Sequence, residues 1–415
     1  MSVEVLSFGC RLNAAESEAM RRQAEGAGRT GLLLVNTCAV TTEAGRQARK
    51  AIRAAARANP DARVVVTGCG AQVETDVYAA MPEVAEIVGN RRKLDPATWA
   101  RSSSERVRID DVMAPGADPL TDATPMPART RAFLPVQNGC DHRCTFCVIP
   151  FGRGNSRSVP VPIVVGQVRA LVAGGTREVV LTGVDLTAYG RDLGEVTLGA
   201  LVRAILRGVP DLDRLRLSSI DSVEADPELV AAFAEEARLM PHLHLSLQAG
   251  DDLILKRMKR RHGRDDAIRF CAEIRALRPD AVFGADLIAG FPTETEAQFA
   301  RSLDLVVECD LAQLHVFPYS PRPGTPAARM PQVAPVVIKE RAARLREAGA
   351  AAFARRLDRE IGETRRVLAE RGGTGRTEGF LPVRLPEGVE AGTLTTLRIV
   401  GHDEQVLQGQ VLRAE

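Results

Sequence analysis

Short hydrophobic runs alternate with amphipathic stretches through the first hundred residues. The runs VEVLS, LLLVNT and VVVTG are typical of buried strands, and the stretches ESEAMRRQAEGAG and TEAGRQARKAIRAAARANP between them have helical periodicity. Strand and helix alternate at about 30 residues per unit, which predicts parallel strands joined by right-handed crossovers. Residues 1–105 are therefore predicted to form a Rossmann-like βα domain.

A segment without periodicity follows at residues 106–128, and its Pro, Asp, Ala and Ser content is typical of a linker. From residue 129 to residue 355 the alternation of strand and helix resumes. This region is predicted to form a partial (βα)6 barrel rather than a closed eightfold one. A βα barrel carries its site at the C-terminal ends of its strands. The strand-like runs are AFLPVQ, REVVLTGV, RLRLSSI, HLHLSLQ, AVFGADLIAGF and QLHVFPYS.

A long charged helix is predicted at residues 335–361, and four short strand-like runs separated by glycine-containing turns follow it. These runs predict a small antiparallel β-barrel at residues 356–415. They read ETRRVLAER, GFLPVRL, TLTTLRIVG and VLQGQVLRA. The fold class is therefore α/β, with an all-β domain at the C-terminal end.

Composition narrows the class of protein further. The 415 residues are 45% hydrophobic and carry a formal net charge of +2, so a nucleic-acid partner would be met by local basic patches. The first residues, MSVEVLSFGC, lack the features of a secretory signal, and no apolar run reaches the ~18 residues of a membrane span. The sequence predicts a cytoplasmic protein with no membrane partner.

Six of the eight cysteines fall into two groups. Cys10, Cys38 and Cys69 each follow one of the first three strand-like runs. Because parallel strands end at one edge of a sheet, these cysteines are predicted to converge there. The other two cysteines, Cys271 and Cys309, are predicted to be packed thiols without a ligand role.

The second group lies in the loop GCDHRCTFC after the first barrel strand and consists of Cys140, Cys144 and Cys147. A structural zinc site takes four protein ligands, and His142 would be strained as the fourth between two neighbouring cysteines. A 4Fe–4S cluster fits three thiolates better, because one iron then stays open to a ligand from outside the protein.

This Cys-x3-Cys-x2-Cys spacing is similar to that of radical S-adenosylmethionine enzymes. The strings GCRLN, NTCAVT, TGCGAQ and GCDHRCTFCVIPFGRGNSRS resemble the methylthiotransferase family, and the likeness covers essentially the whole chain. The resemblance implies two 4Fe–4S clusters. One, on Cys140, Cys144 and Cys147, binds S-adenosylmethionine at its open iron through the amino and carboxylate groups of the methionine moiety. The other, on Cys10, Cys38 and Cys69, carries the sulfur to be inserted.

Two strings narrow the resemblance to one branch. HLHLSLQAGDD and LHVFPYSPRPGTPA are most similar to the branch that methylthiolates carbon 2 of N6-threonylcarbamoyladenosine at position 37 of tRNA. The alternatives are the branches that act on N6-isopentenyladenosine or on a ribosomal protein, and a non-catalytic iron–sulfur RNA-binding protein. GADLIAGFPTETE departs from the commoner TD-IVGFPGETE form at Ala285 and Thr293, which we interpret as subgroup variation.

The resemblance also implies contacts with the cofactor. Phe146 is expected beside the adenine of S-adenosylmethionine, and Gly183 and Asp185 match a glycine-rich motif that binds the methionine amino group. Further candidates lie near strand ends, where ordinary polar or apolar side chains are the alternative. They are Ser218, Gln248 and Ile288.

The implied partners are the tRNA anticodon loop, an electron donor and a sulfur source. The C-terminal barrel resembles the RNA-binding TRAM fold. Arg153 and Arg157 are candidates for gripping a carboxylate or phosphate. The run KRMKRRHGR offers a basic patch, whose alternative is a solvated helix face. Its candidate residues are Lys256, Arg257, Arg260 and Arg261.

Overall fold

The computed structural model describes residues 3–100, 104–114, 130–194 and 196–412. Its N-terminal domain is a parallel five-stranded sheet in the order β1-β2-β3-β4-β5, flanked by helices. The strands are β1 Glu4–Ser7, β2 Leu32–Thr37, β3 Arg63–Gly68, β4 Glu86–Val88 and β5 Val107–Arg108. The helices are α1 Arg11–Gly26, α2 Thr42–Ala58, α3 Cys69–Val73, α4 Thr75–Ala79 and α5 Pro96–Ala100.

The local sequence explains these elements. Every residue of β2 is buried, as expected for a strand covered on both faces by helices. The side chain of Thr41 accepts a hydrogen bond from the backbone nitrogen of Ala44 and so caps the start of α2. The predicted parallel βα arrangement is confirmed. β5 lies inside the segment predicted to be a linker, whose residues 115–128 fall outside the described part of the chain.

The central domain contains six parallel strands in two three-stranded sheets, β6-β9-β10 and β11-β12-β13. Isolated bridges Leu215–Leu239 and Ile220–Leu245 join the sheets into the predicted partial barrel. The six strands are β6 Arg131–Pro135, β9 Glu178–Thr182, β10 Arg214–Leu217, β11 His242–Gln248, β12 Val282–Ala289 and β13 Leu311–Pro318. A short antiparallel ribbon after β6 consists of β7 Gln137–Asn138 and β8 Arg157–Ser158.

Helices cover the outside of this barrel. Its α-helices are α6 Ile149–Arg153, α7 Val161–Ala173, α8 Leu198–Gly208, α9 Pro227–Glu235, α10 Asp252–Arg257, α11 Arg264–Leu277, α12 Glu296–Glu308 and α13 Pro335–Asp358. Short 3-10 helices lie at Leu186–Ala188, Arg191–Leu193, Ser222–Glu224 and Ala327–Arg329. Alternate strand residues such as Leu243, Leu245 and Leu247 pack into the core against the helices. The intervening residues, such as His242 and His244, therefore face the barrel interior.

The C-terminal domain is a closed barrel in the order β14-β15-β16-β18-β17, built around Val367, Val383 and Leu397. Its strands are β14 Thr364–Glu370, β15 Thr374–Arg376, β16 Pro382–Arg384, β17 Leu394–His402 and β18 Leu407–Val411. β15 was not predicted, because its three residues contain no apolar run. The β16–β18 pairing is parallel, whereas the other pairings are antiparallel as expected.

The loop after β15 docks the C-terminal barrel on the lower end of the central barrel. Phe380, at φ +67°, packs its ring 5.3 Å from that of His242. The guanidinium groups of Arg214 and Arg216 donate to the carbonyl oxygens of Arg376 and Glu378, at 3.2 and 2.9 Å. These contacts join the two barrels. None of the described helices combines the length and apolar character needed to cross a bilayer.

Candidate active site

The three N-terminal cysteines lie at one edge of the first sheet. Cys10 follows β1, Cys38 follows β2, and Cys69 opens α3 directly after β3. Gly9 has φ +94°, and a Cβ atom there would lie only 2.8 Å from the Sγ atom of Cys38. Glycine is therefore required for the first two cysteine loops to approach each other. The strand ends bring these residues together as the sequence suggested.

Hydrogen-bond donors surround this first cysteine group. Arg153 Nε lies 3.1 Å from Cys69 Sγ, and Asn90 Nδ2 lies 3.8 Å from the same sulfur. The backbone nitrogen of Val40 donates to Cys38 Sγ at 3.5 Å. Burial raises the pKa of the Cys38 thiol to about 11, so a metal that binds here has to displace a proton. The donors stabilise the thiolate that results.

Arg153 is buried, with 2% of its surface exposed, and its guanidinium group is satisfied within the protein. It donates to Glu16 at 2.8 and 2.9 Å and to Asn13 at 2.6 Å, besides its contact with Cys69. Burial would raise the pKa of Glu16, but Arg153 and Lys93 together lower it to about 2. The sequence suggested Arg153 as a substrate contact. Its position instead favours a role in supporting the first cysteine group.

The second cysteine group lies in the loop between β7 and α6. The backbone nitrogen of Cys140 donates to the carbonyl oxygen of Gly154 at 3.0 Å. Thr145 anchors the middle of the loop, because its backbone nitrogen and hydroxyl donate to the carbonyl oxygens of Met258 and Arg257 at 3.1 and 2.8 Å. A Cβ atom on Gly139, which has φ +74°, would lie 1.9 Å from the carbonyl oxygen of Asn155. The loop is thus tightly fixed on both sides.

The donor sets of the two groups suit multi-iron clusters better than single ions. Within the described residues, neither cysteine triplet brings its three sulfur atoms within 4.8 Å of one another, as the ligands of one ion would be. A cluster spaces its thiolates more widely, and three of them leave one iron open. Both sites therefore fit the 4Fe–4S clusters that the resemblance implies.

His142, considered as a fourth zinc ligand, faces carboxylates. Its Nε2 atom lies 3.0 Å from Asp185 and 3.4 Å from Glu224, and Arg261 contacts the same atom. Hydrogen bonds to Asp185 and Glu224 raise the pKa of His142 to about 9, although Arg261 opposes the shift. Cys140, His142 and Asp185 have ligand atoms within 4.8 Å of one another, but Cys144 and Cys147 do not belong to that group. His142 therefore does not complete a four-ligand set with the three cysteines.

Gln137 ties the second cysteine loop to the loop after β9. Its Oε1 atom accepts hydrogen bonds from the backbone nitrogens of Val184 and Asp185 at 2.9 and 2.8 Å. A Cβ atom on Gly183 would lie 2.8 Å from the same oxygen. The Asp185 carboxylate consequently lies 3.6 Å from Cys140 Sγ. The structure thus places both predicted residues beside the cluster loop, whereas Gln137 was not singled out from the sequence.

Phe146 belongs to an apolar cluster next to the second cysteine group. Its ring meets that of Phe291 edge to face at 6.4 Å, and Phe291 meets Tyr319 at 5.7 Å. Ile288 packs in the same cluster. The two residues predicted to contact the cofactor are therefore neighbours across the barrel. Phe291 and Tyr319 were missed, since isolated aromatic residues carry no signal of their own.

Ser218 and Gln248 end neighbouring strands of the barrel. The Ser218 hydroxyl is buried and finds no hydrogen-bond partner among the described residues. Leaving it unpaired costs free energy, which a bound molecule would recover. Gln248 has φ +70°, a strained conformation that is common where side chains are aimed at ligands. Both positions suit cofactor binding.

The basic candidates differ in whether their side chains are exposed or are held by contacts within the protein. Lys256 is exposed on α10, and Arg157 donates to the carbonyl oxygen of Arg153 at 3.0 Å. Arg260 instead reaches into the site, with Nη1 3.8 Å from Cys144 Sγ and Nη2 2.5 Å from Asp221. Arg257 donates to the Thr293 hydroxyl and Arg261 pairs with Glu224. Lys256 is therefore the candidate with the freest approach to an RNA phosphate.

The barrel interior carries a polar chain across its last three strands. His244 Nε2 lies 2.8 Å and His315 Nδ1 lies 3.1 Å from the same oxygen of Asp286. Burial would raise the pKa of Asp286, but the two histidines lower it. Below this chain, Arg11 approaches the ring of Phe380, and burial together with Arg131 lowers the pKa of Arg11. The interior is therefore charged as well as enclosed.

Cys271 and Cys309 are fully buried in the barrel core, as expected of packed thiols. They contact each other, which the sequence did not show. A hydrogen bond to Cys309 and burial raise the pKa of the Cys271 thiol. The Cys271 thiol is therefore protonated at neutral pH.

Comparison with known proteins agrees with this site. Residues 134–306 match the family model described as the Radical SAM superfamily, and residues 2–89 match Uncharacterized protein family UPF0004. The fold and the cysteine loop after the first barrel strand define the class of the protein as a radical S-adenosylmethionine enzyme with an N-terminal UPF0004 domain.

Curated relatives identify the family within that class. The chain is 47% identical to threonylcarbamoyladenosine tRNA methylthiotransferase MtaB of Rickettsia prowazekii, over 97% of this chain and 95% of that protein. It is 37% identical to the MtaB protein of Thermotoga maritima, over 89% and 86%. A tRNA-2-methylthio-N(6)-dimethylallyladenosine synthase of Roseobacter denitrificans is 36% identical over 82% and 81%. The chain belongs to the MtaB family of radical S-adenosylmethionine methylthiotransferases.

Solved structures support the fold alone. The radical S-adenosylmethionine methyltransferase TsrM from Kitasatospora setae, with cobalamin and a [4Fe-4S] cluster bound, superposes with a TM-score of 0.54. It covers 76% of this chain and 70% of its own, at 17% identity. The match extends over most of both chains and shows a likeness of fold.

Proposed function

We propose that this chain inserts a methylthio group at carbon 2 of N6-threonylcarbamoyladenosine at position 37 of the tRNA anticodon loop. The observation that carries the proposal is the pair of cysteine triplets on adjoining domains, which Arg153 links through its contact with Cys69. Relatives 47% and 37% identical to this chain are named for that substrate, which favours it over isopentenyladenosine.

Each cysteine group has its own part in this reaction. When loaded, the site at Cys140, Cys144 and Cys147 would supply the electron that cleaves S-adenosylmethionine, and the site at the N-terminal cysteines would supply sulfur. The residues of this chain bind and orient the reactants. Phe146 and Ile288 offer an apolar wall for the cofactor adenine. The unpaired Ser218 hydroxyl offers a hydrogen bond.

Residues between the groups keep the site closed and aligned. Arg260 holds Asp221 and contacts Cys144, so it fixes one wall of the second group. Phe380 fills the lower end of the barrel, which limits access of water from that side. Exclusion of water protects a reactive radical from side reactions.

The RNA has to present one unstacked base to this interior. Lys256 and Arg157 would contact phosphates beside the entrance, and the TRAM-like barrel would hold the RNA farther away. Phosphate contacts of this kind weaken as salt rises. The electron donor and the sulfur source would act from outside the chain.

The test is mass spectrometry of nucleosides from tRNA of a strain that lacks the gene. The strain is complemented with the wild type, with Cys144→Ala or with Cys271→Ala. Cys271→Ala is the matched control, because it removes a buried thiol outside both triplets. We expect 2-methylthio-N6-threonylcarbamoyladenosine to be restored by the wild type and the control only.

Two results would contradict the proposal. Loss of a different methylthio nucleoside in the deletion strain would keep the chemistry and change the substrate. Restoration by Cys144→Ala would remove the radical mechanism, since that variant lacks one of the three thiolates at the S-adenosylmethionine site.

A further inference from the structure

Arg11 lies where the three domains meet. It is the first residue of α1 and directly follows Cys10. Its guanidinium carbon is 5.9 Å from the ring centre of Phe133, an inner residue of β6, and 5.5 Å from the ring centre of Phe380. The side chain therefore extends from the first cysteine group toward the barrel interior.

Among the described residues, four guanidinium groups lie near the ring of Phe380, those of Arg11, Arg131, Arg216 and Arg376, and the last three have anionic partners. Arg131 pairs with Glu370 and lies 3.7 Å from Glu178. Arg216 pairs with Glu178 at 2.9 Å. Arg376 lies 3.8 Å from Glu370. Each of these three charges is thus at least partly balanced by a neighbouring carboxylate.

The fourth, Arg11, differs from its neighbours. Across the described ranges of the chain, no hydrogen bond or salt bridge from its guanidinium group is found, and the carboxylate that favours its charge, Glu178, is already paired with Arg216. Arg131, Arg216 and Arg376 repel it. A largely buried cation without a partner is costly, so an anion placed beside it would be strongly favoured.

The geometry fits a carboxylate. Phe133 and Phe380 lie within cation–π distance of the Arg11 guanidinium carbon and supply no hydrogen-bond acceptor to its N–H groups. A guanidinium group can bind the two oxygens of a carboxylate through two parallel hydrogen bonds. In threonylcarbamoyladenine the one anionic group is the carboxylate of the substituent on N6, and N6 is attached to carbon 6 of the same six-membered ring that contains the reacting carbon 2. The sulfur that reacts with carbon 2 and the cation that binds the carboxylate are therefore expected to be separated by no more than the length of one modified base.

We propose that Arg11 binds the threonyl carboxylate of the substrate base and so selects this nucleoside. The inference rests on the proposed function. A second source of the same chemistry is the carboxylate of S-adenosylmethionine, but the sequence resemblance assigns that group to the open iron of the other cysteine site. A phosphate of the RNA backbone is a third anion that the test has to separate.

The experiment compares binding of two anticodon stem-loop RNAs to the iron-loaded protein. One carries N6-threonylcarbamoyladenosine at position 37, and the other carries its methyl ester, which removes the negative charge. Dissociation constants are measured for the wild type, Arg11→Gln and Arg11→Lys. Arg21→Gln is the control, because Arg21 lies on the same helix and pairs with Glu18 and Glu25 on its outer side.

We expect the wild type and the control to bind the acid roughly 10- to 100-fold more tightly than the ester, as for a charge-assisted hydrogen bond. Arg11→Gln should bind both RNAs equally, and Arg11→Lys should retain part of the preference. The ratio of the two constants within one variant does not depend on the fraction of active protein. Iron content of Arg11→Gln is measured as well, because Cys10 is its neighbour.

Several outcomes overturn the inference. If Arg11→Gln prefers the acid RNA over the ester as strongly as the wild type does, Arg11 does not contact the carboxylate. Equal weakening of both RNAs, with the preference intact, indicates a phosphate contact. Weaker binding of S-adenosylmethionine without RNA indicates that the cofactor carboxylate is the partner. If the wild type itself shows no acid preference and forms no methylthio product, the proposed function fails rather than the role of Arg11 alone.

Discussion

The two cysteine groups are built in opposite ways. Cys10, Cys38 and Cys69 come from the ends of three separate strands, so the whole N-terminal sheet has to fold before they meet. Cys140, Cys144 and Cys147 lie in one loop that Gln137 and Thr145 fix by hydrogen bonds. The first site therefore depends on the tertiary fold, whereas the second depends mainly on local structure. The same ligand type and number are reached by different routes.

The charged residues next to the two cysteine groups also differ in how deeply they are buried. The first group lies next to the fully buried set of Arg153, Glu16 and Lys93. The second group faces Asp185 and the partly exposed His142. Disruption of the first site should therefore affect the stability of its domain. Disruption of the second should affect chemistry more than folding.

The largest expected effect is a difference between the two cysteine groups in the reactions that their substitutions abolish. Cys144→Ala should abolish both cleavage of S-adenosylmethionine and methylthiolation, because it removes one proposed ligand of the cofactor site. Cys38→Ala should abolish methylthiolation but retain cleavage to 5′-deoxyadenosine. Each variant should lose about half of the iron if each cysteine group holds one four-iron cluster, as proposed. Chromatography of the products and iron analysis measure both effects. Loss of cleavage in Cys38→Ala would show that the groups are not independent.

The next effect concerns stability of the N-terminal domain. Arg153→Met leaves Glu16 with Lys93 alone and should cost about 3–5 kcal/mol, because it breaks a buried ion network. Trp99 is the only tryptophan of the chain, is buried in this domain, and donates to the carbonyl oxygen of Lys93. Its fluorescence during urea unfolding therefore reports on the network.

The control for this measurement is Arg46→Met. Arg46 pairs with Glu43 on the surface, where both side chains are more than half exposed. Its removal should leave the free energy of unfolding nearly unchanged, because exposed ion pairs contribute little to stability. Similar losses in Arg153→Met and Arg46→Met would contradict the assignment of a buried network.

A smaller effect should appear in the pH dependence of the same unfolding. The pKa of Glu16 is about 2 in the folded protein, below its ordinary value of 4.5. The stability that Glu16 contributes is therefore present above about pH 4.5 and is lost as the pH falls toward 2. Between about pH 5 and pH 3 the wild type should lose about 2 kcal/mol more than Glu16→Gln. Parallel pH profiles would exclude this linkage.

The smallest expected effect lies beside the second group. Thr293 has φ +68°, which explains why the commoner form of this motif has glycine there. Thr293→Gly relieves strain but loses the hydrogen bond from Arg257. The free energy of unfolding, measured by thermal denaturation, should therefore change by less than about 1 kcal/mol. Thr295→Ala, which removes the cap of α12, should cost about 1 kcal/mol. A large loss in Thr293→Gly would mean that the hydrogen bond matters more than the strain.

The sequence was sufficient for features that follow from chain order. Strand ends placed Cys10, Cys38 and Cys69 at one edge, because parallel strands leave no other arrangement. The six barrel strands and the cysteine loop after the first of them were also predictable. These features depend on periodicity and spacing, which are visible along the chain.

The sequence was insufficient where contacts join distant segments. Arg153 was a candidate for gripping a carboxylate or phosphate, and Arg260 was a candidate of the basic patch, yet their partners Glu16 and Asp221 lie on other elements. An arginine in a sequence carries no sign of whether it is buried. Arg11 was overlooked for the same reason, since Phe133 and Phe380 lie more than a hundred residues away. Strand β15 escaped because three residues give no periodicity.

The packing of Phe380 fixes the distance between the C-terminal barrel and the cysteine groups. The Phe380 ring packs against His242, and Arg214 and Arg216 donate hydrogen bonds to the backbone that precedes Phe380. These contacts hold the two barrels in a fixed arrangement. An RNA held by the outer barrel would reach the cysteine groups with only those nucleotides that lie one set distance from the grip. Position along the RNA would then act together with the proposed charge recognition at Arg11 in selecting the target.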